Sequence, residues 1–526
     1  MLNTPKSLRG MVTAPHHLAS QAGLSVLHDG GSAVEAAVAM AASLAVVYPH
    51  MNSIGGDSFW LIAEPDGRVH GVSAVGAAAA RASLDLYAKA GLKTVPWRGP
   101  LAANTVAGTI SGWEAAIASV ENPLPLDRLL RDAIHHAEAG VVVTAGGGEI
   151  ARDKDAELRD VFGYEDIFRQ RGPLKEGAIL KQPALARTLR RLAEEGLASF
   201  YTGTLADDIA RDLEKAGSPV SADDLAAHRA TAPAPLSVSI KGAQLYNMAP
   251  PTQGVASLLI LALFDRLHAD MVDDFDHIHG LVEATKQAFL FRDQHVGDPA
   301  HMAVDPQDLL DDADMLDRMA EAIAPDKALS WPHVANPGDT VWFGAIDGEG
   351  RAVSAIQSTY FEFGSGLVLP ETGIIWQNRG ASFRLAPDGW NALKPGRKPF
   401  HTLNPAMARF DDGRVMAYGT MGGEGQPQTQ AALFTRYARF GMPLQQAITT
   451  PRWLLGKTWG ADSVTLKLEQ RFEPRLYDRL RDAGHDVELV APFTSIMGHA
   501  GALVRHPDGV IEGATDPRSD GAVASW

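Results

Sequence analysis

Residues 33–47, AVEAAVAMAASLAVV, carry apolar or small side chains at nearly every position, with no polar face. A helix that is apolar all round belongs inside a core rather than on a surface. Ser32 and Glu35 stand three apart just before this run and predict a capping box at its start. Pro49 and the Gly55-Gly56 pair in YPHMNSIGGDSF stop it, and FWLIAE then reads as a strand. Further on, Thr204 and Asp207 are expected to open a helix over LADDIARDLEKAG with Gly217 as its stop, and Ser221 with Asp224 opens the next. A long helical pattern over LVEATKQAFLFRDQHVGDP ends near Gly297. The texture changes at about residue 331, where Pro332, Pro337 and Gly338 break regular structure in WPHVANPGDT. After it, TVWFGAI and RAVSAIQS alternate around the turn DGEG, which predicts a β-hairpin. Strand signals recur at Arg414–Tyr418 and Ala502–Arg505. The first two-thirds is therefore mixed and helix-rich, and the last third strand-rich. No repeat, charge run or low-complexity linker separates them, so the parts are expected to interleave in one α/β core.

The chain has 526 residues, long enough to bury most of its apolar surface without covalent staples. It contains no cysteine, which excludes disulfides, thiolate metal sites and a cysteine nucleophile. With 47 Lys+Arg against 63 Asp+Glu the net charge is −16, which argues against general affinity for nucleic acid or anionic lipid. It leaves room for a small anionic substrate in a local basic pocket. The opening MLNTPKSLRGMVTAPHH lacks an apolar signal core, and the apolar runs Ala36–Tyr48 and Val255–Phe264 fall short of a bilayer span. A cytoplasmic protein is expected, with no nucleic-acid or membrane partner.

Thr340 is the candidate nucleophile. It follows a Pro-Gly-Asp turn and begins a strand, so rigid backbone would present its side chain. A threonine hydroxyl needs a base beside it. Cutting the Asp339–Thr340 bond would create one, because an α-amine with a pKa of ~7.7–8 is partly unprotonated near neutral pH. On GDT alone, a β-branched residue starting a strand explains Thr340 as well. Gly422 and Gly423 follow the strand RVMAYG and could turn successive N–H groups toward one point, as an oxyanion hole requires. A plain glycine turn would read the same.

With their surroundings these segments resemble the γ-glutamyltranspeptidase family of N-terminal-nucleophile hydrolases. The likeness runs in order through GMVTAPHHLASQAGLSVLHDGGSAVEAAVA, MNSIGGDSF, FYTGTLADDIARDL, YNMAPPTQG, EATKQAFLFRDQHVGDP, GDTVWF, GSGLVLPETGI, GTMGGEGQPQ and GATDPRS. It implies a four-layer αββα sandwich and self-cleavage at Asp339–Thr340. The products would be an α chain of residues 1–339 and a β chain of 340–526 that stay associated. It also implies Thr340 as nucleophile, Gly422 and Gly423 as oxyanion donors, and Ser358 as the hydroxyl that orients the nucleophile's amine.

The departures from the family bear on the substrate. Where members that take γ-glutamyl donors clamp the α-carboxylate with arginine, this chain has Val75 in VSAVGAAAA. Where they hold the α-ammonium with an acid, WQNRGASF has Ser382, and it gains Arg379. A serine pair is replaced by His401 and Thr402. Such a pocket favours a compact anion without an amine. The versions GDTVWFGAID, IQSTYFEFGSG and YPHMNSIGGD resemble family members that hydrolyse oxamate in purine degradation. Arg379, Asn378, His401, Thr402 and Tyr360 are the expected substrate-binding residues. Arg379 has an ordinary alternative as a solvent-exposed or salt-bridged loop arginine and Tyr360 as a core residue, and Trp342 and Trp376 read as packing. His16, His17 and His50 are assigned nothing. Neither HHLA nor DHIHG has convincing metal spacing, so no metal and no cofactor are expected. Two other readings stay open: a γ-glutamyltransferase, glutathione hydrolase or other dicarboxylate-side-chain acylase, and an unprocessed, catalytically silent binding protein. The sequence also leaves room for a homo-oligomer.

Overall fold

Two antiparallel sheets form the centre of the molecule, seen in a computed structural model that describes residues 3–170, 172–332, 338–456 and 463–526. The seven-stranded sheet runs in the order Lys6–Ser7, Ile511–Thr515, Ala500–Arg505, Val415–Thr420, Ala406–Phe410, Ala243–Asn247 and Leu236–Ile240. The six-stranded sheet runs Ala522–Ser525, Gly10–Ala14, Asp339–Asp347, Ala352–Tyr360, Asp57–Ala63 and Val69–Ala74. Both sheets draw strands from before and after residue 339, so neither part of the chain could complete a sheet alone.

Three buried apolar layers explain how the sheets stack. Met11, Phe59, Trp342, Ile356, Met407 and Leu503, drawn from both sheets, pack in the layer between them. Outside the six-stranded sheet lie helices including His17–His28, Ala33–Val47 and Leu126–Ala139. Outside the other lie Gly254–Asp265, Phe275–His295 and Gly425–Phe434. The result is the expected four-layer αββα sandwich. Strands covered on both faces lose the alternation of a half-exposed strand, and every residue of Ala352–Tyr360 is buried.

The Trp342 indole shows how closely the sheets approach. A Cβ added at Gly419 or Gly501 of the facing sheet would lie 2.2 or 2.3 Å from its ring. Its Nε1–H donates to Ser354 Oγ at 2.9 Å, and that hydroxyl donates to the Tyr418 carbonyl of the other sheet at 3.2 Å. Trp342 is thus a packing residue, as is buried Trp376, whose Nε1–H donates to the Thr105 carbonyl at 3.0 Å.

Local signals were mostly realised. Ser32 and Glu35 form their capping box, and all fifteen residues of Ala33–Val47 are buried. Ser221 and Asp224 do the same for the helix Ala222–Ala227. The hairpin pairs Asp339–Asp347 with Ala352–Tyr360. Two expectations need correction. Thr204 does not cap its helix: Gly203 takes the cap position, and the Thr204 hydroxyl accepts from Arg191 Nη2 at 2.8 Å. The long helix is Phe275–His295, capped by Asp274, and so starts before the stretch read from the sequence. The last third also carries helices, Gly425–Phe434 and Pro474–Asp482 among them. No helix among the described residues is long and apolar enough to cross a membrane.

Candidate active site

Thr340 lies at the start of the strand Asp339–Asp347, buried at 1% exposure. Of its predicted processing partner, only the backbone of Asp339 belongs to the described residues. Opposite Thr340 the pairing slips: Val341 pairs with Gln357, whereas Asp339 pairs with Tyr360. One residue of the first strand therefore faces two of the second, a β-bulge of the kind that re-aims side chains beside functional sites. The bulge brings Ser358 to Thr340, whose Oγ1 donates to Ser358 Oγ at 3.2 Å. Ser358 Oγ also accepts the Tyr360 N–H at 2.8 Å, which holds the hydroxyl in place. Behind it, a Cβ on Gly56 would lie 2.1 Å from the Ser358 carbonyl oxygen, so the GGD turn has to be glycine there.

The bulge leaves Tyr360 at φ 86°, a left-handed conformation that is strained for a non-glycine residue. Its ring forms a platform with the Arg379 guanidinium carbon 3.4 Å from the centroid. Arg379 opens the short turn Arg379–Ser382 and is buried. Its Nη1 donates to the Phe400 carbonyl at 3.0 Å and its Nη2 to Thr402 Oγ1 at 3.2 Å. Burial lowers its pKa to about 10, against the favourable fields of Tyr360 and Asp57, so it stays protonated at neutral pH. This cation reaches the nucleophile's neighbourhood through Gly338, where an added Cβ would stand 3.2 Å from Tyr360 Cε2 and 3.4 Å from Thr402 Oγ1.

Gly422 and Gly423 follow the strand Val415–Thr420 at φ 117° and 50°, so a side chain at either would be strained. A Cβ on Gly423 would come within 3.0 Å of the Gly338 nitrogen, which lays the glycine pair directly against the segment entering Thr340. Thr340, Ser358, Tyr360, Arg379, Thr402, Gly422 and Gly423 are thereby gathered in one place.

Asn378 and His401 are set differently. Asn378 spends its amide on backbone, accepting from the Phe361 N–H at 3.2 Å and donating to the Trp97 carbonyl at 2.9 Å. His401 Nε2 lies 3.2 Å from Asp57 Oδ2, though not aligned for a hydrogen bond. Burial, then the charges of Arg379 and Lys398, hold its pKa well below the ordinary imidazole value, so the ring is neutral. Asp57 Oδ1 accepts from the N–H groups of Gly76 and Gly108, each at 3.0 Å, and from Gln377 Nε2 at 3.1 Å. Burial nevertheless pushes its pKa up to about 7. Val75 is buried, and the Ser382 hydroxyl donates to the Phe400 carbonyl at 3.3 Å.

The sequence reading gave no role to Asp57, Gln253, Arg292 or Glu424, although each lies inside a segment that carried the resemblance. Among the described residues one group could geometrically hold a metal ion, His279, Glu283 and His485. His279 is the second histidine of DHIHG. The group is already satisfied: His279 Nδ1 meets His485 Nε2 at 2.9 Å, and Lys286 Nζ donates to Glu283 Oε1 at 2.7 Å. An ammonium bound to the one carboxylate makes this an internal ion-pair network.

A threonine opening a central strand of a four-layer αββα sandwich, beside a glycine pair, is the layout of an N-terminal-nucleophile hydrolase. The chain belongs to the γ-glutamyltranspeptidase family, whose model matches residues 19–526. It is 54% identical over 525 residues, 99% of each chain, to the oxamate amidohydrolase proenzyme of Klebsiella pneumoniae. It is 40% identical to the glutathione hydrolase-like YwrD proenzyme of Bacillus subtilis, over 97% of each. Among solved structures, cephalosporin acylase from Bacillus halodurans superposes with a TM-score of 0.92 at 33% identity, covering 100% of this chain and 97% of that one.

Proposed function

We propose that the protein is a self-processing amidohydrolase that cleaves the amide of a small anion, oxamate, to oxalate and ammonia. The observation that carries the reading is the buried Arg379 guanidinium, stacked on Tyr360 and bonded to Thr402 beside the segment entering Thr340. It suits a compact carboxylate, and Val75 and Ser382 offer no charge to an amino-acid head group. The extensive identity to an oxamate amidohydrolase supports the same substrate.

In the precursor, Thr340 Oγ attacks the Asp339 carbonyl carbon. The peptide bond gives way to an ester and frees the Thr340 amine, and water then hydrolyses the ester. Residues 1–339 and 340–526 stay together because both sheets need strands from each. In turnover the Thr340 amine takes the Oγ proton as Oγ bonds to the amide carbon. The N–H groups of Gly422 and Gly423 receive the developing oxyanion. The C–N bond breaks, the amine's proton leaves with ammonia, and water, deprotonated by the same amine, releases oxalate. Ser358 orients the amine, and Arg379 with Thr402 holds the substrate carboxylate. His401 and Asn378 serve this pocket as its walls, since a neutral imidazole adds no charge to the clamp.

The identity to a glutathione hydrolase-like relative favours a second reading, a γ-glutamyl hydrolase. Ammonia release from oxamate, measured beside release from a chromogenic γ-glutamyl amide, separates the two. We expect turnover of oxamate and little of the glutamyl compound. Preference for the glutamyl amide would overturn the pocket argument.

A further inference from the structure

Behind the glycine pair lies a buried polar strut for which the mechanism above has no use. Gln253 precedes the helix Gly254–Asp265, and Arg292 lies in the last turn of Phe275–His295. Both belong to the part of the chain before Thr340, and both are buried. Gln253 Nε2 donates to two carbonyls at once, that of Gly423 at 2.8 Å and that of Thr402 at 2.6 Å. Its Oε1 accepts from Arg292 Nη1 at 2.9 Å, so the amide can only be turned this way round. The second arm of the same guanidinium, Nη2, donates to Glu424 Oε2 at 2.9 Å. Nε donates to Asp293 Oδ1 at 2.7 Å, and the guanidinium carbon sits 3.9 Å from the Phe289 ring centroid.

The consequence for the glycine pair follows from peptide geometry. In a trans peptide the N–H points opposite the preceding C=O, so holding a carbonyl aims the next N–H. Three successive carbonyls are held here. The Met421 carbonyl accepts from Thr420 Oγ1 at 2.8 Å, which aims the Gly422 N–H. The Gly422 carbonyl accepts from the Gly425 N–H at 2.7 Å, which aims the Gly423 N–H. The Gly423 carbonyl, which shares its peptide with the Glu424 N–H, accepts from the Gln426 N–H at 3.3 Å and from Gln253, so Gln253 aims neither donor itself but anchors the loop that carries both. The first two restraints are internal to the loop. The third ties the loop to the rest of the protein, and through the Thr402 carbonyl to the residue that binds Arg379.

We propose that Gln253, braced by Arg292 between itself and Glu424, is a positioning residue that sets the oxyanion donors against the carboxylate clamp. This rests on the reading of Gly422 and Gly423 as oxyanion donors, but not on the identity of the acyl group. A buried amide reaching two backbone carbonyls needs an acceptor of its own kept occupied, and Arg292 supplies the donor for it. The strut also joins residues that lie on different chains once Asp339–Thr340 is cut.

The test uses processed enzyme, verified by mass, carrying Gln253→Ala, Arg292→Lys, or both. Kinetics are run on oxamate, or on the chromogenic γ-glutamyl amide if wild type hydrolyses only that. A wild type inactive on oxamate would thus remove the substrate reading and leave the strut testable. Misplaced oxyanion donors are felt in the transition state, so Gln253→Ala should lower kcat 10- to 100-fold with KM changed less than threefold. Arg379 keeps its bond to the Phe400 carbonyl, which Gln253 does not touch, so KM should change less than kcat. Arg292→Lys loses the fork that spans Gln253 and Glu424 and should show the same split more weakly. The double variant should be no worse than Gln253→Ala, because the two residues act in series. If Gln253→Ala does not accumulate as folded protein, the kcat-against-KM split in Arg292→Lys decides alone. A kcat within twofold of wild type, a loss confined to KM, or fully multiplicative effects in the double variant would overturn the proposal.

Discussion

Asp57 has one carboxylate oxygen ringed by three N–H donors and the other facing the neutral ring of His401. The donors and Arg379 favour the ionised form, yet burial outweighs them and raises the pKa from 3.8 to about 7. The folded state therefore binds the Asp57 proton more tightly than the unfolded chain. Its contribution to stability is present in full below about pH 4 and is lost as pH rises through about 7. Asp57→Asn keeps the accepting oxygen, offers an N–H toward His401, and removes this titration. Thermal unfolding from pH 4 to 8 should show the variant gaining on wild type across that range, by an amount of the order of a few kcal/mol. A difference that stays constant with pH would mean that Asp57 is ionised throughout. Asp57 was not legible in the sequence, because one aspartate in a glycine-rich turn gives no sign of its burial. Gln253 was hidden for a related reason: the carbonyl it holds at Gly423 lies 170 positions along the chain.

Among the elements, the hairpin Asp339–Asp347 and Ala352–Tyr360 does two jobs. Its bulge presents Thr340 to Ser358, and its Trp342 fills the space between the sheets. Gly419 makes that filling possible, since an added Cβ would stand 2.2 Å from the Trp342 ring. Gly419→Ala should cost about 1–3 kcal/mol by overpacking, read as a lower midpoint in denaturant. In a Trp342→Leu background the same Gly419→Ala change should cost less, because the clashing ring is gone. An equal cost of Gly419→Ala in the wild-type and Trp342→Leu backgrounds would show that the contact is not the cause. The hairpin, the Ala33–Val47 helix and the two capping boxes were legible because their signals are local: alternation, continuous apolarity, and polar residues three apart. Thr204 was misread because Arg191 draws its hydroxyl away, a contact no local pattern reports. The bulge beside Thr340 was likewise invisible, as register depends on the neighbouring strand.

At the scale of the whole molecule, strands from both sides of Asp339–Thr340 are interleaved in both sheets, and the three buried layers cross the same boundary. Cutting that bond would leave the fold joined by everything except one peptide link. Layer order and the match along residues 19–526 were anticipated from segments kept in register along the chain, because a family likeness carries topology that periodicity alone does not. The central claim is that Thr340 becomes a chain terminus. The intact mass of purified protein tests it most directly, with Thr340→Ala prepared alongside. The uncut chain weighs 56.1 kDa, and cleavage should give pieces of about 36 and about 20 kDa in proportion to length, the smaller beginning TVWFGAI. Thr340→Ala should remain whole and release no ammonia from oxamate. A wild-type chain that stays uncut while hydrolysing the amide, or a Thr340→Ala variant that still cleaves itself, would contradict the account.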